Sequence, residues 1–262
     1  MGTLTISRSG SGNPLVLLHG LGSSRHVWDA VTPGLTKRFD VIAVDLPGFG
    51  DCPPLPPQIE PTPAALAASV AELIDELGIT APHVAGNSLG GWVALELAAI
   101  RTVASVALLS PAGFWRRGTP LYCRASLRAS RWLARHASRP LSRMVNHRLG
   151  RILVLGQTHA KPADLSGDYA RAAIRDLGTC PGFEATLKAT AARRYLARPV
   201  TAPVTIAFGS HDVLLLPRQS RHLDQLPTGF YIGELPGCGH VPMSDNPAAV
   251  IALVTASAER AD

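Results

Sequence analysis

His83-Val84-Ala85-Gly86-Asn87-Ser88-Leu89-Gly90-Gly91 carries an apolar run, a glycine-flanked serine and the start of a helical pattern within nine residues. The run ending at Ala85 is short and bounded by turn residues, as buried strands are, and the pattern from Leu89 to Ile100 is helical. Between them stands G-x-S-x-G. A turn tight enough to project Ser88 from the end of a strand needs small residues two before and two after it, and Gly86 and Gly90 supply them. The helix that follows points its free N–H groups at the same place. In a chain with 24 glycines the motif is cheap by itself, and its position between strand and helix is what gives it weight. The bland alternative is a glycine turn with an idle serine.

Outward from this turn the pattern repeats. Leu15–Leu18, Val41–Val44, Val103–Leu109, Val204–Phe208 and Phe230–Leu235 are further apolar runs. Helical segments are predicted over Pro63–Leu77, Pro217–Leu226 and from Pro247 to about Arg260, each opening on a proline that a first helical turn tolerates, with Gly78 as a C-cap. Alternating strand and helix with buried strands specifies an α/β fold with a mostly parallel, doubly wound sheet. The loop Cys52–Pro63 holds six prolines and reads as a stiff surface connection. Residues 113–200 break the alternation with helix-like segments. The predicted organisation is therefore a core of 1–112 and 201–262 with a helical insertion, 113–200, over one edge of the sheet.

Composition narrows the class. The 262 residues are 46% hydrophobic and 17% charged, which excludes a disordered chain, and no apolar stretch reaches transmembrane length. The first twelve residues lack the pattern of a signal peptide, and Ile6 stands where a myristoylation signal needs Ser or Thr, so a cytoplasmic protein is expected. Cys52, Cys123, Cys180 and Cys238 lie far apart and read as reduced, buried thiols; with scattered histidines, no metal and no cofactor are expected. The net charge of +6 is uneven: 113–200 carries 17 Lys+Arg against 4 Asp+Glu, the remainder 8 against 15. Arg124, Arg128, Arg131, Arg135, Arg139 and Arg143 recur at helical spacing with Leu127, Trp132, Leu133 and Leu141 between them. The simplest reading is an amphipathic helix with a solvated arginine face and no nucleic-acid role. An anionic substrate, an acidic partner and a membrane surface are the other readings.

Ligands of open α/β sheets bind beyond the carboxyl ends of the strands, so the turns there are where chemistry is sought. A serine hydroxyl needs a base, and the base a carboxylate to orient it. His240 lies in Gly237-Cys238-Gly239-His240-Val241-Pro242, after one apolar run and before the last helix, and is the candidate base. Asp212 ends Gly209-Ser210-His211-Asp212 at the close of another run and is the candidate acid. His211 is a decoy whose side chain should diverge. Asp224, placed mid-helix, and Asp245, placed as a helix cap, are rival carboxylates. Acyl transfer also needs two amide donors for the oxyanion. Leu89 offers one, and Leu21, in His19-Gly20-Leu21-Gly22, the other.

HGLG at 19–22, DLPGFG at 45–50, GNSLGG at 86–91, GSHD at 209–212 and GCGHVP at 237–242 together resemble the lidded, single-domain branch of the α/β-hydrolase superfamily. The resemblance covers both flanks but not 113–200. It implies Ser88 as nucleophile, His240 as base, Asp212 as acid, Leu21 and Leu89 as oxyanion donors, and 113–200 as a helical lid. Relatives that open epoxides or remove halogen carry aspartate where Ser88 stands, and relatives that hydrolyse carbon–carbon bonds typically show HGxGPG and a tryptophan after the histidine. Here Ser23-Ser24 and Val241 occupy those places. DLPGFG has no accompanying nucleotide-binding loop and reads as a turn shaping the pocket rim. With only fourteen residues before Leu15, one of the usual eight strands should be missing.

The expected activity is hydrolysis of a carboxylic ester, thioester or lactone through an acyl-enzyme, on a small substrate that is anionic or delivered on a carrier protein. Gly20, Phe49, Trp92, Phe114 and Trp115 are expected around the substrate. The alternatives are a carbon–carbon bond hydrolase or lyase using the same serine, and a small-molecule binding or signalling module.

Overall fold

The computed structural model describes residues 4–226 and 228–261. Met1 and Gly2, where the sequence lacks a myristoylation signal, lie outside them. Seven strands are described: β1 (Ile6–Gly10), β2 (Asn13–Leu18), β3 (Phe39–Val44), β4 (His83–Asn87), β5 (Ser105–Leu109), β6 (Val204–Gly209) and β7 (Tyr231–Leu235). They form one sheet in the order β1-β3-β2-β4-β5-β6-β7, parallel throughout except for β1, which pairs antiparallel with β3 at the edge. The helices are α1 (Thr32–Leu35), α2 (Pro63–Glu76), α3 (Leu89–Ile100), α4 (Leu121–His136), α5 (Ser138–Met144), α6 (Arg148–Leu155), α7 (Gly167–Thr179), α8 (Phe183–Ala191), α9 (Pro217–Ser220), α10 (Pro242–Asp245) and α11 (Pro247–Ala258). None is long and apolar enough to cross a membrane.

The central strands are buried on both faces because their side chains alternate between two layers. Val16, Leu18, Ile42, Val44, Val106 and Leu108 pack into the layer with α2 and α3. Leu15, Leu17, Val41, Ala43, Ala107 and Leu109 pack on the other side, against Trp28, Leu35, Val250 and Val254. Local signals set the helix ends: Thr62 accepts from the Ala65 N–H at the start of α2, and Gly78 takes a φ of +68° after its end.

Three features depart from the sequence expectation. The strand Ile6–Gly10 carries Ser, Arg and Gly and is mostly exposed, so no apolar run announces it. It sits at the edge, antiparallel to β3, and brings the described strands to seven, one fewer than the usual eight, as expected. The helix predicted over Pro217–Leu226 stops at Ser220, and the His222 N–H donates to Phe114 O instead of to a helical carbonyl. Asp224 therefore lies in an exposed turn and not mid-helix.

Between β5 and β6 the chain forms the helices α4 to α8, with a small apolar core of their own: Ala134, Val145, Leu155, Ala170 and Ile174. The arginine pattern is not one helix, since α4 ends at His136 and α5 starts afresh at Ser138, with Pro140 in its first turn. Nor is the arginine face uniformly solvated. Arg131 is buried, its guanidinium over the Phe183 ring and bonded to Leu177 O, while Trp132 beside it is 60% exposed and Leu133 also open. Packing of α4 against α7 draws in the one arginine whose donors find a carbonyl there, and turns the apolar neighbours outward.

Candidate active site

Ser88 sits between β4 and α3 with φ +56° and ψ −117°, in the region a non-glycine residue occupies only under constraint. The constraint is visible in its neighbours. A Cβ on Gly86 would stand 2.2 Å from Gly90 O, and one on Gly90 would stand 2.2 Å from Leu18 O. The serine's own backbone is held by its N–H to Leu109 O (3.0 Å) and by Ala112 N–H to its carbonyl (2.9 Å). Its side chain lines a cavity of about 710 Å³ of empty space, part of it open to solvent.

His240 lines the same cavity. Its Nδ1–H donates to Asp212 Oδ2 at 2.9 Å, because a carboxylate oxygen can only accept, and in the neutral ring this bond makes Nε2 the acceptor nitrogen. Asp212 Oδ1 accepts from the Leu214 (3.0 Å) and Leu215 (2.8 Å) N–H groups. Burial alone would raise this carboxyl's pKa. The charge of His240 and the bonds from His240, Leu215 and Leu214 outweigh it and hold the group below the usual carboxylate range. Among the described residues Ser88 Oγ has no hydrogen-bond partner, so the serine–imidazole bond is not made in this resting geometry, as is common before substrate binds.

The histidine is also fixed through its backbone. Asn87 Nδ2 donates to His240 O (2.9 Å) and to Leu109 O (3.0 Å), so the residue beside the serine braces the histidine loop. Gly209 lets that loop pass close to β6, since a Cβ there would stand 2.1 Å from Gly239 O. Asp245 does not cap a helix: that role falls to Asn246, which accepts from Ala249 N–H. The buried Asp245 carboxylate instead accepts from Gly239 N–H (2.8 Å), Ala160 N–H (2.9 Å) and Lys161 N–H (2.9 Å), joining the histidine loop to the segment after α6. Neither brace was foreseen. Asn87 stood inside the quoted motif, and Asp245 carried only the signal of being a carboxylate five residues after the histidine.

Leu21 and Leu89 both line the cavity, and neither backbone N–H has an acceptor among the described residues. The loop bearing Leu21 is held by His19, which is fully buried. Its Nδ1–H donates to Gly20 O (2.7 Å) and its Nε2 accepts from Leu46 N–H (3.0 Å); burial pushes its pKa down and keeps the ring neutral. DLPGFG forms the adjoining turn, with Asp45 buried on Arg25 and Gly48 O accepting from Gly182 N–H of the insertion (2.9 Å).

Of the residues expected around the substrate, Gly20, Trp92 and Trp115 line the cavity. Phe49 and Phe114 do not. Phe49 is buried edge-on against His19, and Phe114 is buried against Tyr195, each used up in packing one layer below the cavity. His211 is exposed and bonds Ser210 Oγ, away from the cavity. The insertion contributes walls that the sequence did not single out: Thr119, Cys123, Leu127, Thr158, Leu187 and Thr190. Burial pushes the pKa of the Cys123 thiol up to about 12, so it stays protonated. His240, Asn87 and the hydroxyls aside, the lining is apolar and includes no Lys, Arg, Asp or Glu.

Residues 15–253 match the model of the alpha/beta hydrolase family. The chain is 32% identical over 205 residues to epoxide hydrolase EphH of Mycobacterium tuberculosis, covering 75% of this chain and 94% of that protein. It is also 32% identical over 253 residues to a pimeloyl-[acyl-carrier protein] methyl ester esterase of Neisseria meningitidis, covering 90% of each. Among solved structures, the enol-lactonase of Burkholderia xenovorans shares the fold with a TM-score of 0.74 at 24% identity, over 97% of this chain and 95% of that one.

Proposed function

Because the chain belongs to the alpha/beta hydrolase family, we propose that it is a serine hydrolase that cleaves a carboxylic ester, thioester or lactone through an acyl-enzyme. The observation that carries this is one cavity bordered by Ser88, by a histidine bonded to a buried aspartate, and by two unpaired amide N–H groups. Ser88 Oγ attacks the substrate carbonyl as His240 Nε2 takes its proton, and Asp212 holds the ring in the tautomer that leaves Nε2 free. The oxyanion forms against the Leu21 and Leu89 N–H groups. His240 returns the proton to the leaving group, then activates the water that releases the acid. The helical segment 113–200 acts as the lid, since seven of the cavity's lining residues come from it.

Epoxide opening, the activity in the EphH name, does not suit this residue set. An attacking carboxylate yields an ester that water can cleave, whereas serine attack on an epoxide would yield a stable ether and no turnover. The ester chemistry in the name of the Neisseria relative suits it well. With no Lys, Arg, Asp or Glu in the lining, the acyl group is neutral and largely apolar. Any anionic part of a substrate, a carrier included, would lie outside the cavity.

A fluorophosphonate probe followed by peptide mapping tests the assignment. The adduct is expected on Ser88, with a panel of p-nitrophenyl esters turned over by the wild-type chain and not by Ser88→Ala. An adduct elsewhere, or ester turnover that survives Ser88→Ala, would overturn it.

A further inference from the structure

The outer face of the insertion has a composition that the hydrolytic chemistry does not use. Of the thirteen exposed large apolar side chains among the described residues, nine lie between positions 113 and 200. The same segment holds 17 of the chain's 25 basic residues and 4 of its 19 acidic ones. The two features meet on α4, α5 and α6. The bond from Ser130 Oγ to Gln157 Oε1 (3.3 Å) ties the segment just after α6 to the middle of α4. Leu149 (75% exposed), Ile152 and Leu153 (75%) form an i, i+3, i+4 stripe on α6, and Trp132 (60%) and Leu133 are open on α4. Arg135, Arg139 and Arg143, on α4 and α5, line a groove against α7 and have no acidic partner among the described residues. The nearest carboxylate of that groove, Glu184, is engaged by Arg128.

We propose that this face is a docking surface for an anionic lipid bilayer. Apolar side chains left open on α4 and α6, in the segment that also carries the unpaired arginines, match what an interfacial surface needs: leucines and a tryptophan entering the acyl boundary and guanidinium groups at the headgroups. A second copy of this chain is a poor occupant, since self-docking would bring two faces of like charge together. An acidic protein would satisfy the arginines but leaves the open leucines unexplained. The surface also lies close to the proposed active site. Leu127 and Cys123 on α4 line the cavity, and Trp132 is only about 8 Å further along the same helix, at 1.5 Å per residue. Docking there brings the cavity next to the membrane interface, whatever bond Ser88 cleaves.

Trp132 provides its own reporter, because Trp28, Trp92 and Trp115 are buried. The test is co-sedimentation with phosphatidylcholine vesicles, with and without about one third phosphatidylglycerol, at low and high salt, with tryptophan emission recorded in parallel. The expected result is binding to the anionic vesicles that weakens with salt, and a blue shift that Trp132→Phe removes. Leu149→Ser with Leu153→Ser should abolish sedimentation. Arg139→Gln with Arg143→Gln should weaken it about tenfold and remove the preference for phosphatidylglycerol. Both pairs are surface changes and should keep wild-type circular dichroism and wild-type rates on soluble p-nitrophenyl acetate. No sedimentation, equal binding to both vesicle types, or wild-type binding by the leucine pair would overturn the proposal. So would a saturable complex with acyl carrier protein formed by a chain that ignores vesicles.

Discussion

Replacing Asp245 by Asn removes charge and one acceptor from a group that serves three buried donors. In the native chain Oδ2 accepts from Gly239 and Ala160 and Oδ1 from Lys161, all at 2.8–2.9 Å. Asparagine has a single acceptor oxygen. If it keeps the two bonds of Oδ2, its NH₂ faces the Lys161 N–H, donor against donor. One charge-assisted bond is lost, at about 1.5–3 kcal/mol, and the remaining two weaken, for a total of about 3 kcal/mol. In a chain of this size 1 kcal/mol moves Tm by about 2–4 °C, so thermal unfolding should fall by about 6–12 °C. The loss should not stay in stability. Gly239 precedes His240, so slack there reaches the imidazole, and kcat on a p-nitrophenyl ester should drop by about tenfold. Asn246→Ala serves as the control, because it removes the α11 cap at about 1 kcal/mol and, toward the histidine loop, only a long bond to Pro236 O (3.4 Å), and should leave kcat alone. Asp245→Asn unfolding within about 2 °C of wild type at full kcat would refute the reasoning.

Stability should decline as pH falls below neutral. Burial pushes the His159 pKa down to about 4 from 6.5, so between those values the unfolded chain binds a proton that the folded one does not. The loss is about 3 kcal/mol across that window, His19 acts in the same direction, and Asp212 adds its share only below the usual carboxylate pKa. Urea midpoints at several pH values measure it, and His159→Gln should flatten the slope; a wild-type midpoint independent of pH would contradict the burial argument. Ser88→Ala should cost at least about 10³-fold in kcat/KM, while Ser88→Gly, equally inactive, should unfold no lower than Ser88→Ala because glycine accepts φ +56°. Gly90→Ala, with its Cβ 2.2 Å from Leu18 O, should give an insoluble or inactive chain, and soluble, active protein in size-exclusion and esterase assays would show that the turn can relax.

The turns that bear Ser88, Asp212 and His240 were legible because each needs glycine for a reason that local sequence already contains. Gly86, Gly90, Gly209 and Gly239 stand where a Cβ would meet backbone within 3 Å, so the chain spells out its close approaches. The edge strand β1 was not legible, because pairing on one side and exposure on the other leave ISRSG without an apolar signature. Phe49 and Phe114 were misplaced for the opposite reason: an aromatic residue near a strand end fits a pocket wall and a core equally well, and only packing against His19 and Tyr195 decides. The insertion was the least legible part. Its helices bury faces against one another, so spacing alone could not tell that Arg131 goes in and Trp132 stays out.

That insertion is fastened to the very loops that carry the chemistry. Asp176 of α7 accepts from Ser24 Oγ (2.6 Å) beside the loop of Leu21, and Gly182 donates to Gly48 O at the end of the turn after β3. Thr158 O accepts from Val241 N–H, and Ala160 and Lys161 share Asp245 with the histidine loop. Three ties around one cavity make a fixed wall, since releasing any of them strands buried polar groups. A wall held this way would discriminate by the side chains it presents, so under the proposed function Thr119, Cys123, Leu127, Leu187 and Thr190 should decide which acyl groups fit, and the serine turn how fast they react. The same segment then keeps two chemistries apart: apolar side chains and hydroxyls toward Ser88, arginines and open leucines toward the outside. Exchanging the insertion between relatives would therefore change substrate choice and surface affinity together, provided that the residues at 24, 48 and 245 still find their partners.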